Sequence, residues 1–529
     1  MVCPAYTSTL ILDTGETNSQ FLTNGDFNHN GFIDLAVSNQ GAVPNGVPSS
    51  ISVFYRDENG FTVPPTQLTV PTNKIAQGIT SGDFNHDTYI DLALATVDAI
   101  TGNDEISIYL NQAGQGFTLL NTFSTGGIGL TSPSRLGPRI VAADFNGDGN
   151  LDLAITHSVS NNFSVFLGQG NGTFVAATGS PYSVPVNNPV PIIAADIDGD
   201  GLPEVVLASE TDSVVTDGAI SIFKYTNGSF TQLSLFSTLG FTPLSLASGD
   251  FNLDGNMDLA VTNINSGNVV IFLGGGNGTF SNSSIIPISN VQFVTTTDVN
   301  CDGIIDLALS VEGTPNLFLL GNGDGTFTQS DIALDDTGSL EIISADFNND
   351  GRQDVAVPNK DEGTVTINFN NCVAFTSCPD LLVDNDTGKC GATVDFSVVT
   401  QCPGLSISYF PPSGSFFPVG TTSVTAIAVG LQNNVESCTF TVTVKDTEAP
   451  VISGLKDIDV ETVNPAGTIV TYPAPTVTDN CPNPTVICRP PSGSFFPLGI
   501  TTVICTATDS SGNTATGSFQ VDVNQMEEE

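Results

Sequence analysis

Base is what this chain lacks. Its 529 residues include 11 Lys and Arg against 55 Asp and Glu, so the formal net charge is −44. Nucleic-acid binding is excluded on that account, because neutralising phosphates needs clustered Lys and Arg. An anionic membrane surface is disfavoured for the same reason. No apolar run approaches the roughly 20 residues that span a bilayer, so membrane insertion is not expected. Trp is absent and His occurs three times. The motifs G-x-S-x-G and H-E-x-x-H are missing, as is a phosphate-binding glycine loop ahead of a helix. Long segments of helical periodicity are missing too. What remains is 40% hydrophobic, rich in Gly and Pro, with β-branched residues between the turns. That pattern predicts an all-β chain of many short strands.

One phrase recurs seven times. It reads D-F-N-H-N-G-F-I-D at Asp26 and D-F-N-G-D-G-N-L-D at Asp144, with further copies from Asp83, Asp196, Asp250, Asp298 and Asp346. The starts lie 57, 61, 52, 54, 48 and 48 residues apart. An apolar strand enters each copy and another leaves it. A third strand and a glycine turn such as G-G-G-N-G-T-F, ending at Phe280, follow. Four antiparallel strands per unit of this length is the grammar of a propeller blade. The seventh unit lacks a fourth strand, and Tyr6 to Leu12 reads as a stray one. Their pairing would close a ring and leave no sheet edge exposed, with Cys3 and Cys372 placed to lock it.

The phrases are also candidate cation loops. Oxygen-bearing side chains at positions 1, 3, 5 and 9, with the carbonyl of position 7, converge on one hard cation when the loop is tight, and Gly at position 6 permits the bend. The candidate ligands are Asp26, Asn28, Asn30, Phe32 and Asp34 in loop one; Asp83, Asn85, Asp87, Tyr89 and Asp91 in loop two; and Asp144, Asn146, Asp148, Asn150 and Asp152 in loop three. Loop four offers Asp196, Asp198, Asp200, Leu202 and Glu204; loop five Asp250, Asn252, Asp254, Asn256 and Asp258. Loop six offers Asp298, Asn300, Asp302, Ile304 and Asp306; loop seven Asp346, Asn348, Asp350, Arg352 and Asp354. Position 7 contributes only its backbone carbonyl. No Cys or His set suits zinc. Up to seven Ca²⁺ ions are expected. Affinities should differ between copies: loop four carries four carboxylates; loop one has two and should bind worst; Thr88, standing where Gly belongs, should strain loop two. The simpler alternative is that these side chains only make turns by bonding their own backbone.

These phrases and turns resemble the FG-GAP/VCBS repeats of the seven-bladed propeller in integrin α subunits, over residues 1–374. The resemblance implies calcium loops that stabilise the blades and a ligand face built from the other set of loops. Those are the long ones here: 41–50, 98–104, 126–138, 181–189 and 212–218, with Arg135 and Arg139 notable in so acidic a chain.

After Cys372 the grammar changes. P-P-S-G-S-F-F-P-V-G at Pro411 returns as P-P-S-G-S-F-F-P-L-G at Pro490, an offset of 79. With T-D-N-C at Cys481, this resembles hyalin repeats (HYR), immunoglobulin-like extracellular modules. Two β-sandwiches are expected, 375–447 and 448–529, the second with a short acidic tail. Cys488 and Cys505 align with Tyr409 and Ala426, absent together as partners should be, so they are expected to pair. Cys378–Cys390 and Cys402–Cys438 are the other expected pairs, leaving Cys301 and Cys481. Cys481, aligned with Cys402, is expected either as a thiol or as a cross-link to another chain. Pairing implies an oxidising compartment. Met1 is followed by no apolar leader, so either a leader lies outside this numbering or export takes another route, as for a spore-surface protein.

The function expected is a calcium-stabilised extracellular or cell-surface adhesion protein, a propeller head on an Ig-like stalk. Its partner would be a glycan or a surface or matrix protein, or copies of itself. Two alternatives stand beside it: a structural subunit of a surface layer, fibre or spore appendage, and a calcium-dependent polysaccharide lyase or hydrolase. No catalytic residue is assigned, and none of the three histidines lies near a nucleophile motif.

Overall fold

The computed structural model describes the chain except residues 1–5, 17, 42–46, 129–136, 210–216, 335–340, 371–374, 401–405, 430–434 and 528–529. The described residues are all-β, with no helix. They divide into two compact units, Met1–Ala374 and a second built from Phe375–Thr400 and Leu405–Glu529. Cys3, Cys372, Cys402 and Arg135 fall outside the described residues, as do parts of the loops 41–50, 126–138 and 212–218.

The first unit holds seven four-stranded antiparallel sheets, the first six in simple sequential order; the third sheet carries one extra short strand, Tyr182–Ser183. The fifth is representative: Pro243–Gly249, Asp258–Asn263, Asn268–Gly274, Phe280–Pro287. The phrase falls between the first and second strands of every sheet. The seventh sheet is assembled from both ends of the unit. Tyr6–Asp13 pairs antiparallel with Thr364–Asn370, Leu10 opposite Ile367 and Leu12 opposite Val365. The first strand of each sheet packs against the first strand of the next, and that of the seventh against that of the first.

Alternation drives this packing. The second strands are apolar and wholly buried, as in Asp258–Asn263, because both faces meet a neighbouring sheet. Position 2 of every phrase is apolar and fills the gap between sheets: Phe27, Phe84, Phe145, Ile197, Phe251, Val299 and Phe347 are all buried. The polar edge of one sheet is tied to the next. Gly172 and Gly325, in the glycine turns of sheets three and six, donate N–H to the carbonyls of Phe84 and Phe251 in the preceding sheets. Where the glycine turn is missing, Asn370 of sheet seven does the same job, its Nδ2 donating to the Val299 carbonyl at 2.6 Å.

The second unit contains two copies of one topology. In the first copy, Leu381–Asp384 runs parallel to Val435–Lys445, which pairs with Gly420–Val429 and that with Ser406–Phe410. Ile458–Thr462, Thr514–Gln525, Gly499–Thr508 and Thr485–Arg489 repeat the order. The cores coincide at the offset of 79: Phe417, Val424, Phe440, Val442 and Val444 in one, Phe496, Val503, Phe519, Val521 and Val523 in the other, all buried.

The disulfides correct the expected pairing. Cys488 bonds Cys505, its direct neighbour across the ladder, as the offset predicted. Cys378 bonds Cys438, not Cys390, and Cys438 is therefore not the partner of Cys402. Cys390 bonds Cys481, joining the two copies, so Cys481 is not a spare thiol. The same place is sewn by hydrogen bonds: Asn480 Nδ2 donates to the Lys389 carbonyl and Asp446 Oδ1, Ser511 Oγ to Asp446 Oδ2, and Asn513 Nδ2 to the Asp446 carbonyl, all at 3.1 Å.

Candidate metal centres

All seven loops share one backbone path. Positions 4 and 6 lie in the left-handed region throughout; in loop five these are Leu253 at +60° and Gly255 at +86°. Thr88 is held at +76°, the conformation for which the other six loops use glycine. The side chains hold this path in place. The first Asp accepts the N–H of position 6 in every loop, at 2.7–3.0 Å. The position-5 side-chain oxygen accepts the N–H of position 7 in every loop, at 2.8–3.0 Å. So the turn-making role is real. It does not exhaust the oxygens, since each carries a second lone pair.

Position 9 is the most buried of the set: Asp34, Asp91, Asp152, Glu204, Asp258, Asp306 and Asp354 are all 0–1% exposed. In six loops one oxygen accepts a backbone N–H from the end of the third strand, at 2.6–2.8 Å. The other accepts from the start of the phrase, as from Phe251 N to Asp258 at 2.8 Å. This side chain thus clamps the loop to the rest of its sheet. Burial pushes Asp34, Asp91, Asp152, Glu204 and Asp306 up to about 7, Asp354 to about 8 and Asp258 upward, and the facing loop carboxylates add to the rise. The backbone N–H groups they accept oppose that rise, and a cation placed beside them would oppose it further.

The donor chemistry fits a hard divalent ion in loops two, three, five and six, where only oxygens and Asn amides gather. Basic groups stand at the other three. At loop one, Arg56 donates its backbone N–H to Asp34 at 2.6 Å and lays its guanidinium over Phe32, while Asn30 Nδ2 donates to the Arg56 carbonyl at 2.6 Å. At loop seven, Arg352 Nη2 lies 2.5 Å from Asp350 Oδ2 and its Nε donates to the Asn370 carbonyl. At loop four, Lys224 Nζ contacts Asp198 Oδ2, lies 2.7 Å from Asp200 Oδ2 and 3.8 Å from Glu204 Oε1. Burial works against that ammonium, but the hydrogen bonds to Asp198 and Asp200 outweigh it and hold it charged. The loop richest in carboxylates therefore already contains a cation. Lys224 lies 20 residues beyond the phrase, so a reading confined to the phrase misses it.

The histidines resolve as well. His29 stacks on Tyr89 and its Nε2 lies 2.7 Å from the Thr88 carbonyl; His86 Nε2 lies 2.7 Å from Asn150 Oδ1. Each joins its loop to the next. His157 lies near no nucleophile motif in the sequence, but in the fold its Nδ1 lies 2.6 Å from Asp104 Oδ2 and its Nε2 2.9 Å from Ser164 Oγ. All three residues are fully buried, and Ser164 Oγ donates to the Thr125 carbonyl. This buried arrangement ties sheet two to sheet three.

Comparison with known proteins gives two family matches. The FG-GAP-like repeat model matches residues 26–94, 144–207, 250–309 and 298–357. The HYR domain model matches 385–444 and 445–523. A hyalin of Strongylocentrotus purpuratus is 30% identical over 268 residues, 46% of this chain and 22% of the relative. A serine-rich adhesin for platelets of Staphylococcus aureus is 29% identical over 187 residues, 32% of this chain and 13% of that protein. The chain thus spans about a fifth or less of these relatives. Among solved structures, an Agrocybe aegerita lectin described for specific recognition of non-reducing terminal N-acetylglucosamine is 16% identical, with a TM-score of 0.40 over 61% of this chain and 82% of that one.

Proposed function

From a chain that carries FG-GAP-like repeats followed by two HYR domains, we propose a calcium-stabilised adhesion protein of the extracellular space or cell surface. The repeats form a seven-bladed propeller head, and the HYR pair presents it. The observation that carries the calcium reading is the set of buried position-9 carboxylates, each facing further loop acids at the same turn of its sheet. Calcium supplies there the charge that lets those carboxylates ionise while they clamp the third strand. Adhesion is supported by the hyalin and platelet-adhesin relatives and by the disulfide-linked HYR pair, which needs an oxidising compartment.

The partner is a glycan or a surface or matrix protein, docking on the long connections between the second and third strands and between sheets. A structural layer or fibre remains the second reading, without the covalent route through Cys481, which Cys390 occupies. The test is a glycan and matrix-protein array probed with calcium and with chelator, together with elemental analysis after gentle purification in calcium. Calcium-dependent capture and several ions per chain are expected. No calcium rejects the metal reading, and no capture on either array rejects adhesion to those ligands.

A further inference from the structure

Three departures from the repeat grammar occur in the fourth unit and meet in space. Asp198 is the only carboxylate among the seven position-3 residues, and Glu204 the only Glu at position 9. Lys224 is the third. Strand register places it where the other sheets carry Tyr55, Leu110, Leu167, Leu273, Leu320 and Phe369, all apolar.

The lysine reshapes the loop. In the other six loops the position-3 side-chain oxygen accepts the position-5 N–H at 2.8–3.1 Å. Asp198 instead turns Oδ2 to Lys224, and its buried Oδ1 has no hydrogen-bond partner. The oxygen of Glu204 that should meet the third-strand N–H faces the ammonium at 3.8 Å. Charge balances as well. Four carboxylates and one ammonium leave −4 + 1 = −3, the charge of the three-carboxylate loops two, three, five and six. An ammonium held by three carboxylates repels a dication a few ångströms away and engages two of the oxygens that ion would need.

We propose that Lys224 is the resident cation of the fourth loop, and that it excludes a divalent ion there under conditions that fill the loops built from oxygen donors alone. The inference rests on the calcium reading of those other loops. Removing the ammonium should convert the fourth loop into the most acidic divalent-cation site of the set.

The test is a calcium count on the full chain, by elemental analysis after exchange into micromolar free calcium and by calorimetric titration. Wild type is compared with K224M and with K224L/D198N, which restores the apolar residue and the Asn of the other units. Each variant is expected to hold one more calcium ion than wild type. Equal counts in wild type and the folded variants overturn the proposal. Should K224M fail to fold even in calcium, K224L/D198N decides. Failure of the underlying reading looks different: it is a wild-type count of zero, whatever the variants do.

Discussion

Single residues carry most of what can be measured on the loops. Thr88 takes a left-handed conformation that costs an L-residue roughly 1–2 kcal/mol. Gly31, Gly149, Gly201, Gly255, Gly303 and Gly351 take it in the other loops. T88G should therefore raise the urea-unfolding free energy by about 1 kcal/mol, less what glycine's looser unfolded chain returns; an unchanged or lower value would show that the strain is relieved elsewhere. Asp152 presents the opposite case. It accepts N–H groups from Gly168 at 2.8 Å and Phe145 at 3.1 Å while fully buried. D152A orphans both donors, and a buried unpaired group costs about 1–3 kcal/mol, so a loss of roughly 2–6 kcal/mol is expected. D152N keeps one acceptor and should lose less. Glu341 sets a pH dependence outside the loops. Burial raises its carboxyl to about 7, partly opposed by Arg139 and by the Leu22 N–H it accepts at 2.6 Å. A folded value above the unfolded one means that its stabilising contribution is complete below about 4.5 and is lost as pH rises through about 7. In saturating calcium, E341Q should lose less stability than wild type between pH 5 and pH 8. Parallel pH profiles would refute that assignment.

At the scale of elements, the sequence was legible wherever a pattern stayed local. The alternation around Asp258–Asn263, the apolar second position and the cross-strand Cys488–Cys505 pair all follow from spacing within one unit. What escaped were contacts between units or between a phrase and a distant strand. Cys378 aligns with Asp457 at the offset of 79 and Cys438 with Gly517, so this pair too is lost together in the second copy. Cys390 aligns with Ile469 and is lost as well, so the offset admits Cys378–Cys438 but does not choose it over Cys378–Cys390. Cys390–Cys481 could not be found that way, because it joins one copy to the other and has no image under the offset. Lys224 escaped for the same reason: its loop lies in another part of the sheet. The junction yields a test. Asp446 accepts hydrogen bonds from Asn480, Ser511 and Asn513, next to the disulfide at Cys481. C481A leaves those bonds and opens a 91-residue loop, worth on the order of 4 kcal/mol in the chain-entropy account. Limited proteolysis between Lys445 and Pro450 should quicken in C481A and quicken further in C481A/D446A. Equal rates in all three proteins would show that neither tie holds the junction.

For the whole molecule, closure and charge act on the same ring of sheets. Tyr6–Asp13 covers the edge of Thr364–Asn370 and buries Leu12 among Leu22, Val365 and Ile367. Arg139 reaches across the first strands, its guanidinium 3.7 Å from the Phe21 ring centroid and 5.1 Å from that of Phe293, which belong to sheets one and six. Against these ties stands the repulsion of a chain with net charge −44, concentrated at the loops. Filling the four loops built from oxygen donors alone would contribute +8 and leave −36. Calcium should then raise the melting temperature of the first unit by many degrees and leave that of the HYR pair nearly in place, so that differential scanning calorimetry resolves two transitions in calcium. With chelator at low ionic strength the first transition should fall. Added monovalent salt should recover only part of that fall: it screens repulsion between exposed charges farther apart than a Debye length, roughly 10 Å at 0.1 M, but does not replace an ion held among buried carboxylates. Deleting residues 1–13 should abolish the calcium-stabilised transition outright, because the seventh sheet loses a strand and exposes an edge. A truncated chain that still melts as one cooperative unit with the wild-type calcium dependence would mean that the ring is held by its loops alone, and that the N-terminal strand only caps it.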